Sequence, residues 1–286
     1  MKIKKTFALL LLAALMMTPA SGALAKESVP ESKQIEETHS FAQSGIRIEI
    51  EQWLWAYKKF DLRFFIAHVY VDDPAQLQAA FAGEQYSKVL AEATSAIAAR
   101  HDAVIAINGD YYNYRDDEGL VIRNGELYRD LKSNRDQLLI YADGAMEPIL
   151  KGEFQPGRAQ EYLDAGVVQC LTFGPLLVDG GEAVTFPKKY AISLAEEIRE
   201  PRTAIGLVEP NHYVLLIADG RRKGWSDKGM TLREMQQVLV ETGCEIAYNL
   251  DGGGSTTLYV NGEVLNHPSG SRERDVSDIV FFTATP

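Results

Sequence analysis

Between residues 46 and 51, three isoleucines (Ile46, Ile48 and Ile50) alternate with Arg47, Glu49 and Glu51. A period of two is that of a strand with one buried face, so structure is expected to begin near Gly45. Residues 62–71 form a second strand-like run, more apolar throughout. Residues 75–82 and 87–100 read as helices; in the second, Val89, Leu90, Ala93, Ile97 and Ala98 are spaced to share one face. Beyond residue 100 the apolar runs shorten, beginning with a buried strand at 104–107. Asn124-Gly125 and Asn261-Gly262, each flanked by alternating apolar residues, mark type I′ hairpins. Runs at 204–208 and 213–218 are joined by Glu209-Pro210-Asn211-His212, a further hairpin. A helix signal returns where Thr231 and Glu234 make a capping box. Leu232, Met235, Val238 and Leu239 then share a face, and Gly243 supplies the stop. An apolar strand at 275–283 closes the chain. With no internal repeat or linker, residues 45–286 read as a single α+β domain. Its sheet is expected to be extensive, mixed and largely antiparallel, with a few packed helices.

The segments ahead of this domain have a different character. Lys2, Lys4 and Lys5 precede an apolar run at 9–17, and Ala23-Leu24-Ala25 offers small residues at the positions a signal peptidase inspects. Residues 1–25 therefore read as a secretory signal peptide, with the apolar run too short for a membrane span. No later run is long and apolar enough to span, so no integral membrane span is expected after cleavage. Residues 26–44 are polar without an apolar period and read as a disordered linker. A secreted or cell-envelope location follows from the leader. The formal net charge is −11 for the 286 residues, and losing the three lysines makes it more acidic. That balance argues against a nucleic-acid partner; an anionic ligand needs a local cluster of donors. Cys170 and Cys244 each sit in apolar, strand-like surroundings that suit a buried thiol as well as a disulfide, and free thiols are the favoured reading.

The pattern breaks most sharply at Asn249-Leu250-Asp251-Gly252-Gly253-Gly254-Ser255-Thr256-Thr257. An apolar run carries one carboxylate to its end, then passes through three glycines and a row of hydroxyls. Such a run helps where the backbone needs unusual torsions or lies against a ligand, and its N–H groups can converge on an anion. For an isolated glycine triplet the plainer reading is a tight turn with a capping Asp. The run is not G-x-S-x-G, lacks the third glycine of a dinucleotide fingerprint, and has Gly262 where a calcium loop needs Glu.

Companion segments shift the balance towards a site. Ala106-Ile107-Asn108-Gly109-Asp110-Tyr111-Tyr112 also ends a buried strand in polar residues at a glycine, with tyrosines that could stack on a sugar. Arg202-Thr203 opens a strand at a place where a guanidinium could grip a phosphate, or merely pair with Glu200 or Glu197. Asp219-Gly220-Arg221 ends the next strand, ahead of a loop at 223–229 that reads as a lid or a plain connection. The strands ending at Ile107, Ala218 and Leu250 are expected at one edge of a shared sheet, with Asn108, Asp219 and Asp251 facing one cleft. His39, His68, His101, His212 and His267 show no metal-ligand spacing, so neither metal nor cofactor is called for.

Taken together, Ile107-Asn108-Gly109, Phe173-Gly174-Pro175, Arg202 to Gly206, Asp219-Gly220-Arg221, the helix after Thr231 and the run from Asn249 to Ser255 resemble the phosphodiester glycosidase family. Arg274 and Ser277, after Pro268 to Gly270, resemble its closing segment. The likeness spans roughly 100–285; Asp110 and Tyr112 depart from it, standing where members often carry Gly and Phe. It implies cleavage of a sugar-1-phosphate diester at the anomeric bond. The leaving group, a phosphate monoester, is a weak base, so stabilising its charge matters more than protonating it. Asp251 is then expected at the anomeric carbon, with Asp219 as second carboxylate or, with Asn108, as a ligand for sugar hydroxyls. Arg202 and residues Gly253, Gly254, Ser255 and Thr256 would hold the phosphate. Gly109, Thr203, Arg221, Gly252 and Arg274 complete the candidate site. The expected partner is a glycan or sugar phosphate. A catalytically silent glycan- or exopolysaccharide-binding module is the alternative; splitting the P–O bond is disfavoured because no metal cluster is seen.

Overall fold

The structure is a computed structural model that describes residues 30–112, 117–186, 198–221, 226–270 and 272–285. The expected leader at 1–25 lies outside them, as do residues 223–225 of the loop read as a lid or a plain connection. Three antiparallel sheets carry the chain. The largest runs Ser32–Gln43, Ile46–Ala56, Asp61–Val71, His212–Ala218, Arg202–Glu209, Ile246–Asn249, Leu176–Asp179 and Glu182–Ala183. A second contains Glu126–Leu131, Gly119–Arg123, Val167–Leu171, Gln137–Tyr141 and Met146–Ile149. The third contains Glu263–Val264, Leu258–Val260, Ile105–Asn108, Asp278–Phe282 and Leu77–Phe81. Every pairing between these strands is antiparallel, and among the described residues the parallel component expected of a mixed sheet reduces to a single bridge, Asp61 to Asp227.

The central strands of the large sheet are buried on both faces, which explains why they read as apolar throughout. Phe65, Ile205 and Leu215 point into a core shared with the other two sheets. Their neighbours Phe64, Ala204 and Leu216 face the helix Leu232–Glu241. The helix Thr94–Arg100 covers the far side of the third sheet, over Ile279 and Phe281. A short helix, Ala159–Asp164, not foreseen from periodicity, packs on the second sheet. The fold is thus mostly β with three short α-helices among the described residues.

Three expectations need correction. Residues 32–43 are not a loose linker: Ser32–Gln43 pairs along its length with Ile46–Ala56. The strand lies at the sheet edge with most side chains exposed, so backbone pairing holds it and no apolar period announces it. Residues 75–82 are not a helix. The Asp73 cap and Pro74 close one 3-10 turn, Pro74–Gln76, and Leu77–Phe81 then pairs with Asp278–Phe282. Only Thr94–Arg100 is helical within 87–100. Ser87 Oγ accepts from the N–H groups of Val89 and Leu90, and Glu92 bridges to Val276, which keeps the stretch extended. Val89 consequently stays exposed. The Asn-Gly hairpins form as read, with Asn124, Gly125, Asn261 and Gly262 all at positive φ. Thr231 and Glu234 form the capping box, and both cysteines are free, buried thiols.

A fully buried arginine ties two of the sheets together. Arg123 donates to Asp278 from Nε at 2.8 Å and Nη2 at 2.6 Å, and to Asp110 from Nη2 at 2.9 Å. Asp110 also accepts from the N–H groups of Thr172 and Phe173. Asp110 is therefore held away from any substrate, and burial pushes Asp278 up to about 6 against the pull of Arg123. Replacing Arg123 by Met strands two carboxylates in the interior. It is expected to cost about 3–5 kcal/mol, read as a lowered midpoint in urea. A loss below roughly 1 kcal/mol would show that the cluster is dispensable.

Candidate active site

The strand ends foreseen as a site meet, but not in one sheet. Ala218 and Asn249 end the two strands of the large sheet that flank Arg202–Glu209, on either side of its start. Asn108 ends a strand of the third sheet and reaches across. Its Nδ2 donates to the Asp251 carbonyl at 2.6 Å, and its Oδ1 accepts from Thr203 Oγ1 at 2.8 Å and Thr257 N–H at 3.3 Å. With its donor and acceptor sides so engaged and no exposed surface, Asn108 joins backbones rather than binding sugar hydroxyls; Thr203 serves the same joint. Gly109 sits where a Cβ would lie 2.4 Å from Asp278 Oδ1, so only glycine admits the approach of that strand.

The joint fixes Asp251. Its Oδ1 accepts from Gly252 N–H at 2.9 Å, and its Oδ2 accepts from Ser255 Oγ and from Arg274 Nη2 at 2.9 Å. Arg274 also donates from Nε to Ser255 Oγ at 3.0 Å. Burial pushes the Asp251 carboxyl above its ordinary range; Ser255, Arg274 and the Gly252 N–H pull it back. The carboxylate is nearly enclosed, whereas half of the Arg274 side chain is exposed.

The glycine run turns its donors inward. Gly252 N–H serves Asp251, Gly253 N–H donates to Pro201 O at 2.9 Å, and Ser255 N–H donates to Gly252 O. Gly253 has φ +61°, and a Cβ on Gly252 would strike Pro201 O at 2.6 Å. The expected nest of N–H groups for an anion is therefore not what these three form; they make a turn that presents Asp251. Thr256 is buried, its carbonyl accepting from Asn266 Nδ2 at 3.1 Å and its Oγ1 enclosed without a partner.

Arg202 also departs from expectation. Its guanidinium is buried and donates to Met230 O at 3.1 Å and Ile198 O at 2.9 Å, and burial lowers it to about 10. It anchors the start of the capped helix and does not reach towards the glycine run. The exposed cations are others. Arg221, at positive φ and paired with Glu200, lies 3.4 Å from where a Gly253 Cβ would stand, and Arg274 lies 3.2 Å from the equivalent point on Gly254. Two half-exposed guanidiniums thus flank the run.

Asp219 is buried, and its carboxylate is spent on residues 266 and 267. Oδ1 accepts from Asn266 Nδ2 at 3.1 Å and His267 N–H at 3.0 Å, and Oδ2 lies 3.3 Å from His267 Nδ1. Asn266 and His267 were missed because they follow a hairpin whose Asn-Gly turn is the stronger signal. Tyr112 is buried against Tyr86 and Phe81, while Tyr111 is exposed. A cavity of about 420 Å³ lined by Trp53, Trp55, Phe64 and His68 lies elsewhere, on the sheet face beside the helix Leu232–Glu241, and shares no residue with this edge.

The solved structures share this architecture. The catalytic domain of zebrafish N-acetylglucosamine-1-phosphodiester α-N-acetylglucosaminidase, auto-inhibited by its pro-peptide, superposes with TM-score 0.69 at 20% identity, covering 89% of this chain and 88% of that one. A protein of Burkholderia pseudomallei gives TM-score 0.60 at 13% identity, over 92% and 99% of the two chains. In sequence, a prophage-derived protein of Bacillus subtilis is 29% identical over 192 residues, 65% of this chain and 29% of its own. The human N-acetylglucosamine-1-phosphodiester α-N-acetylglucosaminidase is 28% identical over 181 residues, 59% of this chain and 34% of its own. The chain therefore spans about a third of the length of these curated relatives. The family model for phosphodiester glycosidases matches residues 101–283, which contain every candidate residue named above. The chain belongs to the phosphodiester glycosidase family.

Proposed function

We propose that this protein is a glycosidase that hydrolyses the anomeric bond of a sugar-1-phosphate diester, exported to act on a cell-wall or extracellular glycan. Family membership supports the hydrolase class, and the leader-like segment at 1–25 supports export. The single observation that carries the reading is Asp251. It is a nearly buried carboxylate aimed by Ser255 and Arg274 at the edge where Arg221 and Arg274 stand half-exposed.

The geometry divides the labour. Asp251 acts at the anomeric carbon, as nucleophile or as base for water. Burial raises its carboxyl above the ordinary range, and the hydrogen bond from Ser255 and the charge of Arg274 favour the ionised form. Charge that builds on the departing phosphate falls to Arg274 and Arg221, which replace Arg202 in the role first expected of it. Both are fixed by partners before substrate arrives, so stabilising that charge demands little reorganisation. The carboxylate held by Ser255 and Arg274 favours this reading over a binding-only module, which has no need of one.

Asp251→Asn keeps an acceptor for the Gly252 N–H but removes the nucleophile or base. It is expected to lower kcat on a sugar-1-phosphate diester by at least ~10²-fold while the melting temperature stays near wild type. Near-normal turnover in a stable variant would remove Asp251 from the mechanism. Binding without turnover in the wild-type protein would favour the glycan-binding module.

Arg274→Ala tests the electrostatics. Without the guanidinium the Asp251 pKa rises further, so the carboxylate is protonated over a wider acid range. The acid limb of the kcat/KM profile is expected to move to higher pH, with a loss of about 10²-fold near neutrality. An acid limb that stays in place would mean that Arg274 does not govern Asp251.

A further inference from the structure

We propose that the cavity beside the helix Leu232–Glu241 is a second carbohydrate site, one that binds a neutral stretch of glycan. The inference goes beyond the proposed reaction and takes from it only that the substrate is a glycan.

Strand register builds the cavity. In the outer part of the large sheet, Trp53 lies opposite Phe64, Glu51 opposite Ile66, and Lys33 opposite Trp55. Opposed residues and alternate residues of a strand share a face, so these side chains stand together on the side that the helix covers. The lining is aromatic and aliphatic, with Glu51, Lys33, His68 and, from the end of the helix, Glu241 among its polar groups. The space enclosed is about 420 Å³, within the range of small-ligand sites. Its aromatic wall is already in place. Trp53 stacks along Phe64, with centroids 6.3 Å apart and planes at 7°, and its Nε1 donates to Glu51 Oε2 at 2.8 Å. Trp55 meets Phe64 edge-on at 5.2 Å. Trp55 is buried, yet its Nε1 has no acceptor among the described residues, which is uncommon for an enclosed indole.

The chemistry of this lining selects the ligand. A sugar ring has C–H faces that pack on aromatic planes and a rim of hydroxyls that needs donors and acceptors. A carboxylate accepts more than one donor, so Glu51 keeps capacity beyond the Trp53 N–H. Charge disfavours a phosphate here. Lys33 Nζ stands 3.9 Å above the Trp55 ring and 3.9 Å from Glu241, which leaves Glu51 without a cation in the lining to offset it. His68 does not make up the difference, since burial pushes its imidazole below the usual range and its Nδ1 lies 2.9 Å from His212 Nε2. The two sites therefore differ in sign, with arginines beside the glycine run and net negative charge here. Between the strand that carries both tryptophans, Ile46–Ala56, and the one that leads to Asp251, Ile246–Asn249, lie four strand spacings, or about 20 Å. A polymer reaching both is held by its uncharged rings while its phosphate lies at Asp251.

The full chain has three tryptophans, Trp53, Trp55 and Trp225, so Trp225→Phe leaves the two of the cavity as emitters. Chitotetraose, cellotetraose and maltotetraose are the neutral probes. At least one is expected to shift the emission saturably with Kd below about 1 mM, and N-acetylglucosamine 1-phosphate to leave it unchanged at that concentration. In calorimetry, Trp53→Ala is expected to weaken that probe at least ~10-fold. Glu241→Gln, at an exposed position that leaves the aromatic wall intact, is expected to weaken it about threefold. Both variants are expected to hydrolyse N-acetylglucosamine 1-(methyl phosphate) within about twofold of the wild-type rate. Silence from all three probes at about 10 mM would overturn the proposal. So would an equal response to the sugar phosphate, or undiminished binding in both variants; if Trp53→Ala does not fold, Glu241→Gln decides alone. If the wild type binds a probe through these residues yet hydrolyses no sugar phosphodiester, the reaction reading fails and the second site stands.

Discussion

One amide, that of Asn108, is the point at which two sheets become one site. It ends a strand of the third sheet, yet its hydrogen bonds go to Thr203 of the large sheet, to the carbonyl of Asp251 and to the N–H of Thr257. A buried amide must satisfy both its donor and its acceptor sides, so its geometry admits little play. The carboxylate of Asp251 is one side chain away from the carbonyl that Asn108 holds. The placement of the candidate catalytic group is thus inherited from a sheet-to-sheet contact and not from a loop. Gly109 and Asp110 extend the contact: Gly109 lets Asp278 approach, and Asp110 enters the buried cluster around Arg123. The same four-residue stretch, Ile107 to Asp110, therefore links both minor sheets to the site.

How much of this was legible in the sequence depends on whether the deciding interaction was local. Caps and hairpins are local, and the Thr231 box, the Asn124-Gly125 and Asn261-Gly262 turns and the buried strand before Asn108 were readable. So were the residues that gather, because polar residues and glycines at the ends of apolar runs are conspicuous. Their orientation was not readable. Arg202 and Arg274 are both arginines near polar loops, yet one is buried on the carbonyls of Met230 and Ile198 and the other is half-exposed beside Asp251. That difference is set by the side of the strand on which Arg202 falls and by the helix start it meets. The strand Ser32–Gln43 escaped notice for a related reason: it is held by backbone pairing, which leaves no mark on side-chain pattern.

The inward-facing donors of the glycine run alter what its glycines are for. Gly253 at positive φ and Gly252 packed on Pro201 allow a tight turn in which the N–H groups of Gly253 and Ser255 go to backbone carbonyls and that of Gly252 to the Asp251 carboxylate. A turn so closed recognises little by itself. Its value is that it leaves Asp251 enclosed while bringing two guanidiniums against the glycines, where side chains would otherwise stand. A bulkier residue at 253 or 254 would press on Arg221 or Arg274. The glycines thus clear space for arginines, and the arginines carry the positive charge.

That division matters because the chain as a whole repels anions. With 40 acidic against 29 basic residues, its long-range field opposes a phosphodiester, and only charge within about one screening length can reverse the sign. Arg221 and Arg274 are half-exposed beside the glycine run that follows Asp251, whereas Arg123 is buried among carboxylates and Arg202 on backbone carbonyls. Cations of the second kind add nothing to recognition, however conspicuous they are in a sequence. At the edge that also presents Asp251, the exposed pair offers an anionic ligand local attraction. Under the proposed reading, selectivity for a phosphate on this acidic surface would rest on these two side chains, with the surrounding negative charge opposing the approach of an anion elsewhere.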